Sequence, residues 1–181
     1  MKTALLVVDV QRAFFDGKTP PADGAEVAAQ MNVLIKGARA ADVPVIFVQH
    51  EKARSEVEHG SEGWQVSTLL DARAEDNRIY KKTPDSFYGT ELGELLDRLD
   101  ISRLVICGYA TEYCVDTTVR RAATLGYAVQ VAADAHTTDD KAHLSGAQIR
   151  AHHNATWHAV SSFPAPLDVV SAADVVFSRL E

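Results

Sequence analysis

Apolar, β-branched runs alternate with amphipathic stretches along the whole chain. Residues 4–8 are continuously apolar and read as a first strand buried on both faces. Residues 25–41 carry Val27, Met31, Leu34 and Ile35 at helical spacing, which predicts an amphipathic helix. A second strand spans 43–49. Residues 51–63 are polar and contain glycine, so they read as a loop, and 64–70 as a short helix. A third strand at 78–81 precedes a helix at 90–99. A fourth strand at 103–107 precedes a helix at 112–125, which stops at Gly126, a residue type suited to the position just past a helix end. A fifth strand at 127–131 leads to a long helix at 138–157, with Asp139 and Asp140 in its first turn. Residues 159–161 are a sixth strand, and 169–177 fit strand and helix equally.

Strands apolar on both faces that alternate with helices predict a mainly parallel sheet covered on both sides. Right-handed crossovers make this a doubly wound, three-layer α/β fold of about six strands. No repeat, low-complexity tract or linker divides residues 1–181, so one domain is expected.

Composition narrows the partners. With 181 residues and 46% hydrophobic content, the chain has enough apolar side chains for one core. A net charge of −7 without a basic cluster argues against nucleic acid and anionic membranes. The first apolar run is broken by Asp9, too early for a signal peptide, and no stretch approaches membrane-spanning length. Two cysteines, Cys107 and Cys114, make no disulfide framework, which suits a reducing cytoplasm.

Three residues stand at or just beyond the carboxyl ends of expected strands: Asp9, Lys81 and Cys114. In a doubly wound sheet those ends converge on the ligand crevice. Cys114 falls in the first turn of the expected helix, where partial positive charge and unpaired N–H groups favour a thiolate. Cys107 lies mid-strand and reads as core. A thiol nucleophile, a carboxylate that moves protons and a neighbouring cation are the parts acyl transfer needs.

Three blocks carry a resemblance to a known family. They are Leu6-Val7-Val8-Asp9-Val10-Gln11 with Phe14-Phe15, the run from Lys81 to Leu92, and Gly108-Tyr109-Ala110-Thr111-Glu112-Tyr113-Cys114-Val115. The chain resembles the isochorismatase-like cysteine hydrolases, among them nicotinamidases and N-carbamoylsarcosine amidohydrolases. The resemblance implies a catalytic triad of Asp9, a lysine and Cys114. Lys81 and Lys82 compete for the second place. Lys81 precedes Phe87 by six residues, the family's spacing, and strand alternation lets only one of the two face the site. Asp85 stands where the family often has serine. The resemblance also implies a cis peptide between Tyr109 and Ala110, with the Ala110 and Cys114 N–H groups forming an oxyanion hole. Phe15, Gln49, Trp64, Phe87, Tyr88 and Tyr113 are expected to wall a pocket for a small-molecule substrate. A homodimer or homotetramer is expected.

No metal and no other cofactor is expected. The Asp-x-His pattern of nicotinamidases is absent after the second strand, where the chain reads Gln49-His50-Glu51, with His59 beyond. His152 and His153, adjacent on a helix, do not share a face. His136 reads as ordering its loop.

The activity implied is cysteine-dependent hydrolysis of a C–N bond in a small amide, lactam or carbamoyl compound. Two alternatives stand beside it. Vinyl ether hydrolysis of the isochorismatase type needs an acid but no nucleophile, so Cys114 disfavours it. A non-enzymatic binding protein on this fold would not need all three triad members.

Overall fold

The computed structural model describes residues 1–178. Six strands form one sheet: β1 (Thr3–Val8), β2 (Val45–His50), β3 (Asn77–Lys81), β4 (Arg103–Tyr109), β5 (Ala128–Thr137) and β6 (Leu167–Val170). Every pairing is parallel, and the order is β3-β2-β1-β4-β5-β6. The order reverses between β1 and β4, which opens a crevice beyond their carboxyl ends.

The helices are α1 (Arg12–Phe15), α2 (Gly24–Ala40), α3 (Leu92–Arg98), α4 (Asp116–Thr124) and α5 (Gly146–Ala159). A π-helical turn, Thr111–Val115, leads into α4, and a 3-10 turn, Ala172–Asp174, follows β6. Alternation along β1 divides the core into two layers. Ala4, Leu6 and Val8 pack with Leu92 and Leu96 of α3, Val119 and Ala122 of α4, and Trp157 of α5. Leu5 and Val7 pack on the other face with Val27, Met31 and Leu34 of α2. This is the expected three-layer α/β fold. Among the described residues, no helix is long and apolar enough to cross a membrane.

Four expectations change. Residues 64–70 form turns, not a helix. They are tied to the exit of β1 by an antiparallel bridge between Gln11 and Val66 and by Ser67 N–H donating to the Val10 carbonyl. β5 runs on to Thr137, because Ala132 and Ala135 are buried in the core and His136 pairs with Gly108 of β4. Asp139 and Asp140 therefore lie in a loop, and α5 begins at Gly146. There Ser145 and Gln148 form a reciprocal capping box, and Asp140 accepts from the Gly146 N–H. Residues 159–161 are not a strand, since α5 continues to Ala159. The sixth strand is Leu167–Val170, which takes up the start of the ambiguous 169–177 segment.

Gly108 sets how closely β1 and β4 approach. Its φ of 134° is open to glycine, and a Cβ there would collide with the Val8 carbonyl oxygen and stand 2.7 Å from the Val8 nitrogen. Asp9 directly follows Val8, and Cys114 follows the turn after Gly108.

Candidate active site

Each functional side chain leaves a strand end or the turn just beyond one. Asp9 follows β1 with a left-handed φ of 53°, its N–H donating to the Val48 carbonyl of β2. Lys81 is the last residue of β3 and lies in register with His50, the last of β2. Gln11 is fully buried and clamps His50 by its backbone. The Gln11 side chain donates to the His50 carbonyl (2.9 Å) and accepts from its N–H (2.8 Å). Beyond β4 the Tyr109–Ala110 peptide is cis. The Ala110 carbonyl then accepts from the N–H groups of Tyr113 and Val115, which starts the turn that holds Cys114.

These elements bring Asp9, Lys81 and Cys114 together. The Lys81 Nζ stands 2.6 Å from Asp9 Oδ2 and 3.2 Å from Cys114 Sγ. The Lys81 side chain has no exposure and that of Asp9 only 2%. Lys82 is the exposed neighbour, with its ammonium 3.5 Å from Glu51. Lys81 Nζ also reaches the Thr83 carbonyl (3.0 Å) and His50 Nδ1 (3.2 Å). Asp9 Oδ1 is buried with no hydrogen-bond partner among the described residues.

The cysteine does not rest as the thiolate expected from its place in the helix. Burial, the largest cause, and the Asp9 carboxylate push the Cys114 thiol up to about 12, although Lys81 lowers it. The resting group is a thiol beside a carboxylate. Cys107 is fully buried mid-strand, as expected, and burial pushes its thiol up as well.

The same geometry bears on metal. Donor atoms of Asp9, His50 and Cys114 lie within 4.8 Å of one another. A zinc ion would need to stand about 2.0–2.3 Å from each donor. The Lys81 ammonium already occupies their midst, within 3.2 Å of all three. The looser His50, Glu51 and His59 set does not assemble. Glu51 pairs with His59 (2.8 Å), whereas the His50 ring turns to Lys81.

The expected pocket wall is largely committed elsewhere. Phe15 is buried against α2 and meets Tyr109 edge-on. Gln49 is buried and donates to the Trp64 carbonyl. The Trp64 ring packs on His59 and Tyr80, and Tyr80 neighbours Lys81 on the strand and so points to the opposite face. Phe87 stacks on Tyr127. Only Tyr88 and Tyr113 are exposed, and the Lys141 ammonium lies over the Tyr113 ring. Phe15, Trp64 and Phe87 thus place their rings in the two core layers or at the sheet edge. His136 is buried, bridging Thr111 Oγ1 and Asn154 Oδ1. It orders the turn before Cys114, and burial holds its pKa down at about 4. Sequence reasoning missed Gln11 as a clamp and His50 as a partner of Lys81. Gln11 stood in the first resemblance block and His50 at the end of the second strand, but neither position shows a side-chain partner.

An isochorismatase domain family model matches residues 3–162. A streptothricin hydrolase of Streptomyces noursei is 36% identical over 138 residues, 76% of this chain and 50% of that protein. A ureidoacrylate amidohydrolase of Serratia proteamaculans is 30% identical over 171 residues, covering 74% of this chain and 69% of the relative. One solved structure, described as an isochorismatase family protein, has a TM-score of 0.84 and 36% identity. It covers 93% of this chain and 98% of the other. The chain spans about half the length of the streptothricin hydrolases it matches. With the family model covering all but the two ends and a solved relative superposing over nearly the whole fold, the chain belongs to the isochorismatase domain family.

Proposed function

We propose that this protein is a metal-independent cysteine amidohydrolase. It would cleave a C–N bond of a small amide, lactam or carbamoyl substrate through a thioester. The observation that carries this reading is the contact of Cys114 Sγ with a buried Lys81–Asp9 pair. The name of the ureidoacrylate amidohydrolase relative supports the bond class.

Asp9 takes the thiol proton through Oδ1, the oxygen that has no other partner among the described residues. The sulfur attacks the carbonyl, and the N–H groups of Ala110 and Cys114 hold the oxyanion. Protonated Asp9 passes its proton to the departing amine or ammonia. It then draws a proton from water, which cleaves the thioester and restores the thiol. Lys81 balances the negative charge on whichever of Asp9 and Cys114 bears it. Assembly as a homodimer or homotetramer and a cytoplasmic location belong to the same proposal.

The vinyl ether reading needs only an acid and leaves the thiol idle. Screening small amides, ureides and lactams for amine or ammonia release identifies a substrate. Brief reaction, acid quench and mass spectrometry should then find the acyl group on Cys114. Cys114→Ala should lose turnover by at least about a thousandfold with the fold intact. Turnover at the wild-type level in that variant would overturn the mechanism.

A further inference from the structure

Lys81 presents three hydrogens to four acceptors. An ammonium has three N–H groups and no lone pair. Around Nζ stand Asp9 Oδ2 at 2.6 Å, the Thr83 carbonyl at 3.0 Å, and His50 Nδ1 and Cys114 Sγ at 3.2 Å each. Asp9 and Thr83 hold the two shortest contacts. The third hydrogen is contested by the imidazole and the sulfur.

We infer that His50 is a positioning residue that holds the third Lys81 hydrogen while Cys114 is a thiol and yields it when the thiolate forms. The inference rests on the nucleophile reading above. Several observations support it. Because Lys81 cannot accept, the nitrogen facing it must present its lone pair, so the His50 proton sits on Nε2. Burial first, and the Lys81 charge second, hold the His50 pKa below its usual value, which keeps the ring neutral at pH 7. The groups that face His50 are Lys81, Asp9, Lys52 and the Thr83 carbonyl. Those that face Cys114 are Asp9, Lys81 and the Tyr109 phenol. The Gln11 clamp fixes the His50 backbone, and the pairing of β2 with β3 sets it in register with Lys81.

The exchange balances without an added reactant. The S–H bond of Cys114 breaks and an O–H bond forms on Asp9. Lys81 keeps its three protons and redirects one from Nδ1 to Sγ. A neutral thiol is a poor hydrogen-bond acceptor and a thiolate a strong one, so the preference reverses as the proton leaves. His50 thus adds to the burial and the Asp9 charge that keep the free enzyme's cysteine protonated until a substrate draws the thiolate forward.

The test reads the free thiol, not turnover. Iodoacetamide alkylation at pH 8 is followed on the intact protein, with peptide mapping to separate Cys114 from buried Cys107. His50→Phe keeps a ring of similar bulk and burial but removes the acceptor. It should speed Cys114 alkylation by about tenfold, the effect of lowering the thiol pKa by about one unit. His50→Asn restores an acceptor at the position of Nδ1 and should react at the wild-type rate. A wild-type or slower rate in His50→Phe, or equal acceleration in both variants, overturns the inference. Failure of the nucleophile reading appears separately, as turnover retained in Cys114→Ala.

Discussion

Lys81→Met tests whether the buried ion pair at the site is held by mutual charge. The Lys81 and Asp9 side chains are sealed from water, with Nζ and Oδ2 2.6 Å apart. At that separation and an effective dielectric of about 20, opposite unit charges attract by about 6 kcal/mol. This attraction offsets the loss of hydration of both groups. Methionine retains much of the lysine stem and its packing but removes the charge. Asp9 Oδ2 then loses its donor while Oδ1 already has none among the described residues. Removing one partner of such a pair costs about 3–5 kcal/mol, a large part of the roughly 5–15 kcal/mol that holds a domain folded. Adding Asp9→Asn removes the stranded charge and should recover at least about 2 kcal/mol of that loss. Urea unfolding at pH 7, followed by the fluorescence of buried Trp64 and Trp157, measures both variants by linear extrapolation. A single variant that loses less than about 1 kcal/mol, or a double variant no more stable than the single, would refute the reasoning.

Gly108→Ala should lose about 3 kcal/mol or more in the same unfolding assay. Its Cβ has no room beside Val8, and alanine resists a φ of 134°; an unchanged urea midpoint would contradict this. His136 supplies a pH dependence. Its folded-state pKa of about 4 lies below the ordinary 6.5, so the unfolded chain takes up the proton first as pH falls. Stability from the neutral ring is therefore complete above about pH 6.5 and declines toward pH 4 by as much as about 3 kcal/mol. His136→Gln should flatten the slope of unfolding free energy against pH in this window, and an unchanged slope would count against a buried neutral ring.

The polar residues show where the pattern of the chain stops being informative. The apolar runs predicted β1, β2 and β4 to within two residues at each end, because a strand buried on both faces must be apolar throughout. β5 was read too short because Asp134, His136 and Thr137 resemble a turn in sequence. In the fold the backbone of His136 and Thr137 still pairs beside β4, past an irregularity that takes in Asp134, and His136 finds both hydrogen-bond partners inside. The expected pocket wall shows the complementary limit. An aromatic residue near a motif suits a core, a sheet edge or a substrate equally well, and only its neighbours in space decide.

The sequence by itself determined the layered α/β class and the three strand-end residues Asp9, Lys81 and Cys114, while the choice of Lys81 over its neighbour came from the spacing of the family it resembles. Strand periodicity and motif spacing are local properties that survive without coordinates. Tertiary structure alone decided the protonation and the company of those residues. Burial and the Asp9 charge make Cys114 a resting thiol, and the pairing of β2 with β3 sets His50 against Lys81. Both depend on distances of about 3 Å between residues more than thirty positions apart, and hydrogen bonding and desolvation are decided at that scale.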